Sequence, residues 1–413
     1  MTQSGRWVLA AVAVAFVLRA AFALVYWTGQ PLTLDEREYL ALGRSVARGE
    51  GFHYPADEPS PGTSQQFGRA PGYPAFLSLL RVKHPVDHAP RRVQIAQAAL
   101  GALAVWVIAA ITRRAAGPRA GVAAAAAAAV YPPLVWLPAY ALSETLYSLL
   151  ALGGVLALQS AADDDGAGPA LVGAGLLSAA AVLVRPAGIF FVAFAAFWLA
   201  LRSTPPRRRT RLGLAAVYIA AAALCLIPWM ARNHRVYGRW MIASEGGATF
   251  WTGNHPLAIG EGDLAANPDL KRADLAFRRA HPGLTPEQLE PLYYRDAFDW
   301  IAAHPARWCG LIARKAFFTI VPIGPSYGVH SPRYRIASVV SYVAALGAAI
   351  VGWRRWRGAM RMGAPVRAPA ALWLAAAATL AAGLVFMPQE RFRIPVIDPA
   401  LIATGALAAH RRP

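Results

Sequence analysis

The stretch Leu32-Thr33-Leu34-Asp35-Glu36-Arg37-Glu38-Tyr39 puts two adjacent carboxylates just beyond the first apolar run of the chain. If a helix begins after Thr33, then Asp35, Glu38 and Tyr39 share one face at i, i+3 and i+4. A carboxylate presented that way can act as a general base. The same residues also make an ordinary first helical turn, capped by Thr33 or Asp35, where the helix dipole favours acidic groups. The surrounding elements decide between the two readings.

Those elements are built for a membrane. Of 413 residues, 56% are hydrophobic and 15% charged, with 13 Trp, which is too apolar for a soluble protein of this size. The net charge is +19, and only Lys83, Lys271 and Lys315 are lysines. A basic chain can bind nucleic acid. Here, however, the arginines cluster between apolar runs, as the positive-inside rule expects, and the nucleic-acid class is set aside. Cys225 and Cys309 give neither a disulfide framework nor a metal-ligand spacing.

Ten apolar segments read as transmembrane helices: 7–27, 93–112, 120–137, one opening at Ser143-Glu144, 170–184, 187–201, 212–230, 336–353, 368–387 and 394–409. Arg113, Arg114 and Arg119, then Arg202 with Arg207, Arg208, Arg209 and Arg211, then Arg354, Arg355, Arg357, Arg361 and Arg367 fall on one side. That side is the cytoplasm, and both termini lie there. Two long loops, 28–91 and 231–335, then lie outside. The expected fold is an all-α polytopic membrane protein of the plasma (inner) membrane, one domain over 1–413, with short interfacial helices in the outer loops. The stretch 306–323 reads as interfacial, because Arg314-Lys315 stands in its middle. Arg19 interrupts the first span, where a cation costs about 2.5–3.5 kcal/mol on insertion scales. Its depth below the outer end, about 12 Å, is close to the roughly 9 Å of Glu144 in the fourth span, so the two are expected to pair.

The outer-face residues together resemble the GT-C membrane glycosyltransferases of the family 39 type, which includes protein mannosyltransferases and the lipid A aminoarabinose transferases. The resemblance rests on Asp35-Glu36-x-x-Tyr39, Arg69-Ala-Pro-Gly-Tyr73-Pro74, Ser143-Glu144, Arg185-Pro186 and Pro228-Trp229 followed by Arg232-Asn233. Gly253-Asn254-His-Pro256 and Arg391-Phe-Arg393-x-Pro395 complete it. It implies a sugar donor carried on a polyprenyl phosphate, a lipid, glycan or protein acceptor, and transfer at the extracytoplasmic face with Asp35 as base.

The chemistry suits the residue types. A prenyl phosphate is a good leaving group, so one base and cationic stabilisation suffice, where a glycosidase needs two carboxylates. Arg185, Arg391 and Arg393 are the expected phosphate ligands, since the guanidinium fork binds phosphate oxygens bidentately. Glu36, counted with Asp35 among the candidate catalytic residues, could equally be a metal ligand, an orienting group or a surface charge. Tyr39, Arg69, Tyr73, Glu144, Arg232, Asn254 and Lys315 are the other expected substrate contacts. The sequence names no cofactor, and a divalent metal near Asp35 and Glu36 stays open. The rival class is a transporter or flippase of a lipid-linked sugar, which would show related halves and broken mid-membrane helices.

Overall fold

The computed structural model describes residues 2–54, 68–163, 168–201, 208–325 and 331–410. Asp164, Asp165, Arg202, Arg207 and the middle of the first outer loop lie outside these. Among the described residues every regular element is helical.

The chain runs through α1 (Gln3–Ala21, prolonged by a π turn Phe22–Tyr26), α2 (Leu34–Arg48), α3 (Gly72–Leu79), α4 (Arg91–Ala116), α5 (Pro118–Val130) and α6 (Pro132–Trp136). It continues through α7 (Glu144–Asp163), α8 (Gly168–Val184), α9 (Ile189–Leu201) and α10 (Arg208–Tyr237). The second outer loop contributes α11 (Gly246–Gly253), α12 (Pro268–Ala280), α13 (Pro286–Ala303) and α14 (Pro305–Ile320). The last elements are α15 (Pro332–Arg361), α16 (Ala370–Val385), α17 (Glu390–Arg393) and α18 (Ile397–Ala406). Each segment expected to span is helical at its place in the chain. Five of the described helices are long and apolar enough to cross a membrane, and α5 with its continuation, bent by 64°, makes a sixth if taken as one broken span. Trp7, Val17, Val25, Leu224 and Val340 are each more than half exposed, a scatter of large apolar groups that suits a lipid solvent.

The bend after α5 explains Arg19, and it overturns the expected pairing with Glu144. Pro132 and Pro133 have no N–H, so the carbonyls of Ala128 and Ala129 four residues back lose their helical donors. The Arg19 guanidinium supplies them: Nη2 donates to Ala128 O and Nη1 to Ala129 O, both at 3.2 Å. Nη1 also donates to Ala15 O at 3.0 Å. Arg19 is 1% exposed, and Gly101 makes the room, since a Cβ there would meet its Nε at 2.9 Å. In the bilayer interior an unsatisfied carbonyl costs several kcal/mol, so two of them justify one buried cation. Matching depth was a weaker constraint than two proline-orphaned carbonyls.

The second outer loop is fastened to the bundle through Lys315 and Asn254. The C-terminus of α16 leaves unpaired carbonyls. Lys315 Nζ donates to Leu384 O (3.0 Å) and Phe386 O (2.8 Å), and Asn254 Nδ2 to Val385 O (2.9 Å). Asn254 Oδ1 in turn accepts from Lys315 (3.1 Å) and from Trp308 Nε1 (3.0 Å). The neighbouring Gly253 is required by closeness: a Cβ would lie 1.7 Å from Phe386 O.

Candidate active site

Asp35 opens α2 because Thr33 and Glu36 form a capping box. The Thr33 hydroxyl accepts from Glu36 N, and the Glu36 carboxylate accepts from Thr33 N at 2.9 Å. The second Glu36 oxygen accepts from Ala141 N at 2.8 Å, tying the start of α2 to the turn that leads into α7. Glu36 is 2% exposed with both oxygens engaged. It braces the site and does not enter it.

Asp35 faces two guanidinium groups. Its Oδ1 lies 2.6 Å from Arg69 Nη2, and its Oδ2 accepts from Arg391 Nη2. Arg69 is shared by two further carboxylates, with Glu38 Oε2 at 2.5 Å and Glu245 Oε1 at 3.1 Å. Its guanidinium lies over the Tyr39 ring, 5.1 Å from the centroid. On the other side, Arg185 Nη1 pairs with Glu144 Oε1 at 2.8 Å, and Arg391 Nε lies 3.7 Å from the same oxygen. The Phe392 ring carries both arginines, at 4.5 Å from Arg185 and 5.2 Å from Arg391. Ser143 Oγ accepts from Tyr39 OH and from Arg185 Nη1, each at 3.2 Å. Residues from α2, the turn before α3, the start of α7, the end of α8 and α17 thus meet at one end of the bundle.

Burial alone would raise the Asp35 carboxyl, but Arg69 and Arg391 more than offset it and hold it well below the usual carboxylate range. Glu245 goes the other way. Burial, opposed by Arg69 and reinforced by Glu38 and Asp35, pushes it up to about 7. Four carboxylates (Asp35, Glu38, Glu144, Glu245) therefore stand against three guanidiniums (Arg69, Arg185, Arg391). The site also has two sides: Arg391 and Arg185 share Glu144 and the Phe392 ring, while Glu38 and Glu245 crowd Arg69.

Of the residues expected from sequence, Asp35, Arg69, Glu144, Arg185 and Arg391 come together. Of the other expected residues, Tyr39 touches the cluster through its ring and hydroxyl, and the rest do not reach it. Tyr39 is buried beneath Arg69, and Tyr73 is fully buried with its hydroxyl on Gln97 Oε1 at 2.9 Å. Arg232 lies over Trp229 and Tyr237. Asn254 and Lys315, 1% and 0% exposed, cap α16 as described. Arg393, 2% exposed, turns into the bundle to pair with Asp398 (Oδ1 at 3.2 Å) over the Tyr342 ring. Asp398 is a buried charge that needs a counter-ion, and Arg393 supplies it away from the Asp35 cluster.

Sequence reasoning missed Glu245, Phe392 and Gln389. Glu38 was legible only as the i+3 neighbour of Asp35. A divalent cation does not fit beside Asp35 and Glu36, since guanidiniums hold one and backbone amides the other. Among the described residues no group of three or more His, Cys, Asp or Glu is placed to hold a metal ion.

Residues 79–231 match the family model described as dolichyl-phosphate-mannose-protein mannosyltransferase. The archaeal oligosaccharyltransferase AglB from Archaeoglobus fulgidus, solved with an inhibitory peptide and a dolichol-phosphate, superposes with a TM-score of 0.56. Identity is 15%, over 98% of this chain and 50% of that one. The chain has the GT-C fold. The apo form of the A. fulgidus enzyme gives the same TM-score, 0.56, at 17% identity over 97% of this chain and 50% of the other. This GT-C chain thus spans about half the length of those solved structures. ArnT from Cupriavidus metallidurans, solved bound to undecaprenyl phosphate, aligns at 15% identity over 99% of this chain and 78% of that one, with a TM-score of 0.46. No curated protein sequence matches the chain. With its apolar helices and its GT-C fold it is an integral, multi-pass membrane protein.

Proposed function

We propose that this chain transfers a sugar from a polyprenyl-phosphate-linked donor to a lipid, glycan or protein acceptor at the extracytoplasmic face, with inversion and with Asp35 as general base. The observation that carries the reading is the Asp35 carboxylate held between Arg69 and Arg391, with Arg185 on the same Phe392 ring. That is a base beside a pair of anion-binding forks.

In the transfer, the acceptor O–H proton goes to Asp35 and the acceptor oxygen bonds to the anomeric carbon. The bond from that carbon to the phosphate oxygen breaks, and prenyl phosphate departs with the electron pair. Arg391 and Arg185 stabilise the charge that develops on the leaving oxygen. A carboxylate pinned by two guanidiniums is a weak base, since the effective pKa of a base should approach the working pH. The donor phosphate answers this, because it competes for Arg391 and frees Oδ2 to accept a proton.

Full-length protein in nanodiscs, incubated with a panel of radiolabelled polyprenyl-phosphate sugars, tests the reading. Asp35→Asn keeps shape and donor binding but cannot take the proton, so turnover should fall by about 10²–10⁴-fold. Full turnover in Asp35→Asn would remove Asp35 as the base, and no transfer from any donor by the wild type would remove the reaction.

A further inference from the structure

Arg391 is half-exposed, on a flexible stem in a short turn, yet its fork faces Asp35 in one orientation. Something must hold it, since an arginine side chain has many rotamers open to it. Glu144 is too far from Nε, at 3.7 Å, for a short charge-assisted bond. The close partner of Nε is the Gln389 side chain, whose Oε1 accepts at 2.9 Å. The amide of that same side chain donates through Nε2 to Gly262 O at 2.8 Å, in the second outer loop. Gly262 N returns a hydrogen bond to Pro388 O at 2.9 Å. The amide orientation is chemically forced, because a guanidinium only donates and a carbonyl only accepts. One glutamine therefore spans from the outer-loop backbone to the arginine that faces the base.

We propose that Gln389 is a positioning residue that sets Arg391 for the donor phosphate, using the outer-loop backbone at Gly262 as its anchor. The inference rests on the polyprenyl-phosphate reading above. It adds that phosphate affinity depends on a residue outside the charged cluster and on the register of the outer loop against 386–389. The anchor is stiff, because Lys315 and Asn254 clamp the preceding carbonyls at 384–386. Gln389 acts through Arg391, so its effect must vanish when Arg391 is gone.

The test is a double-mutant cycle on the full chain in nanodiscs, read as binding of undecaprenyl phosphate and as thermal unfolding. Gln389→Leu should weaken binding about tenfold while the melting temperature stays within about 2 °C, in keeping with an oriented charge-assisted contact that is lost. Arg391→Ala should weaken it further, and Gln389→Leu should add nothing in that background. Wild-type binding by Gln389→Leu would overturn the inference. So would penalties that multiply in the double variant, or a binding loss that tracks a lowered melting temperature. Failure of the wild type itself to bind the probe would overturn the donor reading, and this inference with it.

Discussion

Asp35 shows how far a residue's chemistry depends on what its partners are doing. In the site as it stands it is the counter-ion of Arg69 and Arg391, and the proposed transfer makes it a base only once a competing anion draws Arg391 off. Glu245 is the titratable group of the cluster nearest neutrality. Its carboxyl is raised in the folded protein, so between the unfolded value of about 4.3 and about 7 the native state binds the extra proton. Stability from this group is therefore lost as pH rises through that window, and Glu245→Gln should remove the loss. Thermal unfolding of wild type and Glu245→Gln should coincide near pH 4.5, with the variant melting progressively higher toward pH 8. A difference that is flat with pH would show that Glu245 is not the group titrating.

At the scale of elements, two cations do the work of missing backbone donors. Arg19 replaces the N–H groups that Pro132 and Pro133 lack, and Lys315 replaces those beyond the end of α16. Arg19→Leu should lower stability by about 2–5 kcal/mol, since each stranded buried carbonyl costs about 1–3 kcal/mol. Restoring donors should repair it: Pro132→Ala with Pro133→Ala in the Arg19→Leu background should recover part of the melting temperature. If the alanines instead deepen the loss, the carbonyl-capping account is wrong. Lys315 and Asn254 belong to the same class of residue. Asn254 was expected at the site from the resemblance and Lys315 as a charge inside an amphipathic stretch, whereas the structure has both fixing the turn from which Gln389 and Arg391 project.

For the whole molecule, the arrangement of helices places Asp35, Glu144, Arg185 and Arg391 at a common end. We propose that this end is extracytoplasmic and that the ten apolar segments each cross the membrane. After replacement of Cys225 and Cys309, an impermeant thiol reagent applied to intact cells should modify Arg279→Cys in α12. It should modify Arg361→Cys at the end of α15 only after permeabilisation. Labelling of the second site from outside would refute the ten-span arrangement.

The apolar segments, the arginine asymmetry and the Asp35 stretch were readable in the linear chain because each depends on local composition or on spacing within one helix. Capping of α2 was readable for the same reason: Thr33 and Glu36 are three residues apart. The role of Glu36 was ambiguous, because its second partner, Ala141 N, lies 105 residues away. The sequence could offer Arg391 and Arg393 only as equals two residues apart. Tertiary structure separated them, since one turn of short helix sends the first to Asp35 and the second to the buried Asp398. Arg19 is the same lesson in reverse. Its need for a partner followed from the cost of a charge in lipid, but only the bend after α5 decided that the partner was a pair of carbonyls and not a carboxylate.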